Sequence, residues 1–459
     1  MDVSLIVFTL PLQSLIGVAE KQQASIQITF PLVPGQDGDF SERQVFWDSP
    51  ATIQWFKAHG YTLYRRVDDS FTTYPVISAL NVATTEANYP YACYDLGGPE
   101  AMSELPRADE YTGKVAFAQD SLNRHVAIKI VRAETDEYRI LHFLSQQKLE
   151  TLKENCVIPV LDLLPIEGFW FAVMPRWSVS AVLKPMNSRW GIAIMYPPLY
   201  YMHEAVTIIH SLLKGLTYLH EHNIVHHDIS PKNILVNHFA YDEDRTLPEH
   251  NTRGDLRSRN RLLYAMFDFD ISIMLPLKED RKAFRLPYYE LWGNYNTITD
   301  TDAGEFDYSP FVFDVGAMGA LICNRFQHAS LDLPMLAPLL DRMTTWDLDR
   351  RFTASEALQF FEERKSELTE EQLQADLYEA QIRFRYDNYD RWEGLPLDFV
   401  EKWKAYRTAP LPWHLRFLRR LRQLPYFYYV MPITRRFFYR LSILPRRLFT
   451  LIIPSKIRI

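Results

Sequence analysis

The sequence predicts an α+β protein of two lobes, a small strand-rich one followed by a larger helical one. Three observations carry this. Val115 and Phe117 open a period-two alternation that returns in His125–Val131 and Phe169–Met174. Between about residues 200 and 365 the apolar spacing turns helical. A chain of 459 residues with 47% hydrophobic content can bury more than one core.

Residues 1–100 read as an N-terminal extension of unknown role. Met1–Ile16 is apolar but carries Asp2 and Pro11 and no Lys or Arg, which argues against a secretory signal. Ile26–Phe30 alternates like a strand, and Pro50 opens a short helix through Ala58. Tyr61, Tyr64, Phe71 and Tyr74 supply aromatic surface for packing on the next domain. Residues 101–177 form the small lobe. Asp120–Asn123 is a turn there, Glu134–Leu144 a helix, and Ile158–Leu163 a further strand. Residues 178–365 form the large lobe and residues 366–410 an acidic helical linker, which the acid-rich, helix-like run Glu362–Gln381 opens. Residues 411–459 are a basic aromatic tail with eleven Lys or Arg and no Asp or Glu.

The net charge of −7 and a pI near 6.0 provide no global basic field, so nucleic acid is not an expected partner. Cys93, Cys156 and Cys323 are far apart and match no metal-ligand spacing. Such sparse cysteine fits a reducing, intracellular compartment, cytoplasmic or nuclear. No run reaches the ~20 apolar residues of a membrane span. Oligomeric state is not legible.

The most informative stretch is Ile224-Val225-His226-His227-Asp228-Ile229-Ser230-Pro231-Lys232-Asn233-Ile234-Leu235. It sets Asp228 and Asn233 on a loop between the helical run Leu212–His220 and a short strand. A carboxylate and an amide so placed can face a hydroxyl and a metal ion together, although an Asp and an Asn also cap ordinary turns. Lys129 sits in the apolar strand Val126-Ala127-Ile128-Lys129, ahead of a helix bearing Glu137. Asp268 follows the apolar strand Ala265-Met266-Phe267, where a plain turn residue would also fit.

Together these residues resemble the eukaryotic protein kinase superfamily and, more loosely, kinase-like proteins of mushroom-forming fungi. The resemblance covers roughly residues 105–362. It implies ATP and Mg²⁺ as cofactors. Lys129, positioned by Glu137, would hold the phosphates; Asp268 and Asn233 would hold the metal; Asp228 would take the hydroxyl proton. Met174 would be the gatekeeper, and backbone groups of Pro175 and Trp177 would meet adenine, with Val115, Ala127 and Leu235 enclosing the ring. Phe269 would pack beneath the small-lobe helix. Asp314, in Phe313-Asp314-Val315-Gly316, would brace the catalytic loop. Arg351 would be the structural Arg of the last family stretch, with Glu290 and Glu305 as candidate partners.

The chain also departs from the pattern. Ala108, Glu110 and Gly113 stand where three glycines of a phosphate loop are expected, with Gly97-Gly98 upstream as another source. His227 replaces the Arg that pairs with a phosphorylated activation segment. Ser230 replaces a catalytic-loop Lys, and Lys232 would supply the charge instead. Asp270 replaces a Gly, and Tyr241–Arg259 reads as an insertion.

The implied function is ATP- and Mg-dependent transfer of the γ-phosphoryl group to Ser or Thr hydroxyls of a protein whose identity is unknown. The alternative is a pseudokinase acting as a binding or scaffold protein. In the tail, a helix over Trp413–Leu424 places Trp413, Phe417, Leu421 and Leu424 on one face. Arg419 and Arg422 lie roughly opposite, Arg416 at the flank and Arg420 nearer the apolar side. Such a tail packs on an acidic face of the kinase domain, makes peripheral contact with an anionic membrane or, as the least expected of the three, meets nucleic acid.

Overall fold

Five strands form the small-lobe sheet in the computed structural model: β1 (Thr62–Leu63), β2 (Val115–Gln119), β3 (His125–Arg132), β4 (Asp162–Ile166) and β5 (Phe169–Pro175). The described residues are 27–31, 40–67, 71–77, 88–95, 108–179, 199–240, 252–291, 298–301, 305–377, 385–422 and 424. Strand order is β1-β2-β3-β5-β4, all neighbours antiparallel. Period-two alternation sends Val126, Ile128 and Ile130 of β3 into one core with Phe171 and Val173 of β5. Ala127 and Lys129 therefore face the other way, toward the cleft. The strand expected at Ile158–Leu163 forms four residues later. Pro159 has no N–H for a ladder, whereas Pro165 is tolerated because β4 is an edge strand.

The outer core of this lobe is completed by residues that the sequence places in the extension. Helices α1 (Phe40–Asp48) and α2 (Pro50–Ala58) contribute Phe46, Trp47, Trp55 and Phe56 to the same cluster as Phe171. Ser49 caps α2 by accepting the Thr52 N–H, with Pro50 in the first turn. Ile28 and Phe30 are buried there as well, but residues 27–31 pair with no strand among the described residues. Between β1 and β2 the chain makes a second, three-stranded sheet from Arg65–Arg66, Thr72–Tyr74 and Ala108–Asp109.

Helix α3 (Asp136–Ser145) starts two residues later than expected because Glu134 occupies a left-handed turn, φ 64°. Thr135 then caps it by accepting the Tyr138 N–H, and Asp136 and Glu137 fill the first turn.

The large lobe is built on α4 (Met202–Glu221), α5 (Pro310–Phe326), α6 (Leu336–Thr344) and α7 (Ala354–Lys365), which share one extensive apolar core. Helix α4 is buried along nearly its whole length, as an element apolar on most faces must be. Helix α7 opens with a capping box between Thr353 and Glu356. The helix expected over Glu362–Gln381 is two pieces, the end of α7 and Glu370–Gln374; residues 378–384 lie outside the described residues. Beyond them the chain clamps onto the lobe through Arg391, whose guanidinium meets Asp341 at 2.6 Å in a buried pair. The tail helix forms as α8 (Trp413–Arg422). Met1–Ile16, Gly97-Gly98, residues 241–251 of the insertion and the tail from residue 425 lie outside the described residues. Among the described residues no helix is long and apolar enough to cross a membrane.

One further element joins the lobes. Residues 88–95 run behind the connection between them. Cys93–Asp95 pairs in parallel with His238–Ala240 of the large lobe, and the Trp177 indole N–H donates to the Pro90 carbonyl at 2.8 Å.

Candidate active site

Strand β3 and helix α3 bring Lys129 and Glu137 together at 2.5 Å, both nearly buried. The same ammonium reaches the Asp268 carboxylate at 2.6 Å. Asp268 has a left-handed backbone, φ 68°, which Asp tolerates better than most residues. Burial alone would lower the Lys129 pKa, but Glu137 and Asp268 outweigh it and hold the ammonium protonated, above its ordinary value. Burial likewise opposes ionisation of Asp268, and Lys129 reverses this, so its pKa is lowered. A cation and two carboxylates from three elements thus meet at one point between the lobes.

The catalytic-type loop closes the other side. The Asn233 amide donates to the Asp228 carboxylate at 2.9 Å and to its carbonyl at 2.8 Å. Asp314, fully buried on α5, accepts the backbone N–H groups of His226 and His227 at 2.7 and 2.9 Å. It therefore braces the loop as expected. The buried His226 contacts the Phe267 carbonyl at 3.0 Å, tying the loop to the strand before Asp268. Phe269 is buried in the same core as Ile140, Leu141 and Leu144 of α3. Lys232 stands exposed on the 3₁₀ turn Pro231–Asn233.

The residues expected around adenine fall on the cleft side of the small lobe and on the facing strand. Ala127 lies opposite both Met174 and Phe117, and Val115 opposite Lys129. Met174, Trp177 and Leu235 belong to the core shared with the large lobe, and Pro175 ends β5. The Trp177 side chain is committed to residues 88–95, a strap behind the hinge that connects the lobes.

The turn expected to hold phosphate differs from the family pattern in its contacts. Ala108 lies in a strand against Thr73. Gly113, with φ 67°, packs under α1: its carbonyl accepts the Trp47 indole N–H at 2.9 Å, and a Cβ would press on Arg43. Glu110 turns inward, its carboxylate accepting the N–H groups of Thr112 at 2.9 Å and Gly113 at 2.5 Å, and the Thr112 hydroxyl. A side-chain carboxylate therefore occupies amides that a glycine-rich turn offers to phosphate. Lys114, the next residue, approaches Asp270 at 3.9 Å across the cleft mouth.

Two partners were not found in the sequence. Arg351 is bound not by Glu290 or Glu305 but by Asp300, in a buried two-pronged pair at 2.5 and 2.8 Å. Gly316 makes room, because a Cβ there would collide with the guanidinium. An Asp ahead of the α5 start, rather than a Glu, was the available signal. His227 stacks on Tyr308 and bonds its hydroxyl. Burial lowers the His227 pKa, so the ring is neutral at pH 7.

The residues fit a nucleotide and magnesium in kind. Mg²⁺ commonly takes one or two protein oxygen ligands and completes its shell with phosphate and water. Asp268 and Asn233 lie on adjoining segments, the Phe267 N–H donating to the Asn233 carbonyl at 3.2 Å. Among the described residues no cluster of three His, Cys, Asp or Glu forms a separate metal site.

A bilobal fold with these groups at one cleft defines a kinase-like class. The family model for protein tyrosine and serine/threonine kinase matches residues 108–247. Among curated proteins, the chain is 26% identical over 130 residues to calcium-dependent protein kinase 4 of Plasmodium berghei, covering 27% of this chain and 23% of that protein. It is 30% identical over 130 residues to the serine/threonine-protein kinase PrkC of Bacillus subtilis, covering 28% and 19%. It is 27% identical over 132 residues to the probable serine/threonine-protein kinase PknB of Lactococcus lactis, again covering 28% and 19%. The chain thus spans about a fifth of the length of these relatives. Over these residues the chain is similar to the eukaryotic protein-kinase superfamily; nothing in the matches ties it to the fungal kinase-like proteins.

Proposed function

We propose that the chain is an ATP- and Mg-dependent protein kinase that phosphorylates Ser or Thr hydroxyls. The observation that carries this reading is the meeting of Lys129 with Glu137 and Asp268, beside a loop holding Asp228 and Asn233. Lys129, held by Glu137, orients the phosphates, and Asp268 and Asn233 are the residues to hold Mg²⁺. Magnesium, when bound, neutralises charge on the phosphates. Asp228 accepts the proton as the hydroxyl oxygen bonds to the γ-phosphorus and the bond to the ADP oxygen breaks. Lys232 is the candidate cation beside the transferring group. Val115, Ala127, Met174, Leu235 and the backbone of Pro175 and Trp177 are the candidate adenine contacts.

A second reading, a pseudokinase that binds partners, is favoured by one observation: the Glu110 carboxylate on the amides of the phosphate turn. Calorimetry of ATP–Mg²⁺ binding, followed by phosphotransfer assays on wild type and Asp228→Asn, separates the two. The kinase reading expects binding by both proteins, with transfer by the variant reduced by ~10²–10⁴-fold. Absence of nucleotide binding supports the scaffold. Equal transfer by both proteins removes Asp228 from the chemistry.

A further inference from the structure

The large lobe carries a cavity of about 600 Å³ that phosphoryl transfer leaves unused. Its walls come from Ile298–Asp300, from Asp341 and Trp346, from the segment around Tyr386 and Arg391, and from the start of the tail. Its acidic groups already have cationic partners: Asp300 has Arg351, Asp341 has Arg391, Asp387 has Arg385 and Asp390 has Arg407. The remaining cations at the rim are Arg416, Arg419 and Arg420 of α8. Arg419 donates to the Thr299 carbonyl and Arg416 to that of Leu411. Among the described residues no carboxylate pairs with any of the three.

Helix α8 rests on its leucine side, where Leu415, Leu418 and Leu421 are half-buried. Trp413 and Phe417 point outward, 79% and 57% exposed, and Leu424 just beyond the helix is 51% exposed. At 100° per residue, Arg420 falls between Trp413 and Arg416, so the outward aromatic stripe and the arginine rim share an edge. A partner must therefore present negative charge and an apolar interior side by side.

We infer that this face docks on an anionic phospholipid surface. Headgroup phosphates meet Arg416 and Arg420 at the cavity rim, and Trp413, Phe417 and Leu424 enter the headgroup–acyl boundary. Charge complementarity selects this occupant. A second copy would set arginine against arginine, and nucleic acid offers phosphate but no acyl interior for Leu424 beside the exposed Trp413 and Phe417. The lipid site is separate from the nucleotide cleft, and its test needs no nucleotide.

The test is flotation of the full chain with phosphatidylcholine vesicles and with vesicles that also contain phosphatidylserine. Arg416→Ala/Arg420→Ala and Trp413→Ala/Phe417→Ala variants accompany it. All four side chains are exposed, so unchanged melting of the variants is expected. Wild type should float with the anionic vesicles only. Losing two arginines should weaken partitioning roughly thirtyfold, and losing the two aromatics at least tenfold, on the order of the transfer value of one large apolar side chain. Equal flotation with both vesicle types overturns the inference. So do variants that float like wild type, which would move binding beyond residue 424. Displacement from anionic vesicles by single-stranded RNA, or a concentration-dependent dimer lost in the aromatic variant, assigns the face to another partner and overturns it as well.

Discussion

Lys129 shows how much one side chain must reconcile. A buried ammonium is costly, and only two carboxylates at 2.5 and 2.6 Å make it tolerable. Lys129→Met should therefore abolish tight ATP–Mg²⁺ binding in calorimetry; unchanged affinity would place the phosphates elsewhere. Glu110 acts in the opposite direction. Its carboxylate satisfies amides that could otherwise bind phosphate. Glu110→Ala is expected to raise ATP affinity, whereas Glu110→Gln, which still offers an acceptor, should lie between. If the alanine variant binds more weakly, Glu110 holds the turn open for nucleotide rather than filling it. The polar residues at the cleft were legible because each carries a charge or amide in a recognisable run. The role of Glu110 was not, because whether a carboxylate points inward depends on backbone torsions that the residue letter does not record.

At the scale of elements, the segment between Asp268 and α5 is fastened at two buried points, Tyr308 and Asp300. His227 is a neutral ring bonded to Tyr308, so it offers no cation to a phosphorylated loop. Phosphatase-treated and untreated protein should have equal rates; a large loss on treatment refutes this. The far end of the segment is fastened by Asp300 to Arg351, both almost fully buried. Asp300→Ala leaves that guanidinium without its partner and is expected to cost ~3–5 kcal/mol in urea denaturation. A cost below ~1 kcal/mol, the scale of an exposed pair, would mean that the pair is solvated. The helices α2 and α3 were legible in the sequence, α2 from the proline that opens it. The strand β4 was displaced from its expected position because a single proline decides where a ladder begins.

Across the whole molecule, the region behind the hinge ties both lobes to residues 88–95. His125 contacts the Tyr64 hydroxyl there, and His238 the Arg253 guanidinium. Both rings are buried, and burial, with Arg176 beside one and Arg253 beside the other, pushes their pKa values down to about 3. The unfolded chain takes up protons below about pH 6.5 that the folded chain refuses until about pH 3. The associated stability is complete above pH 6.5 and is lost progressively as pH falls through that window. Urea midpoints should be clearly lower at pH 5 than at pH 7.5. Equal midpoints would show that the rings gain protons without opening the strap.

The two-lobed order and the five polar residues at the cleft could be read along the chain. Periodicity and short polar runs are local properties of a chain. Folding in three dimensions settled that α1, α2 and β1, far upstream, complete the small-lobe core and sheet. It also decided that Asp300 binds Arg351 and that the tail arginines share a rim with Asp300 and Asp341. Those choices depend on which distant surfaces meet, and burial rewards any well-matched pair of surfaces regardless of the chain between them.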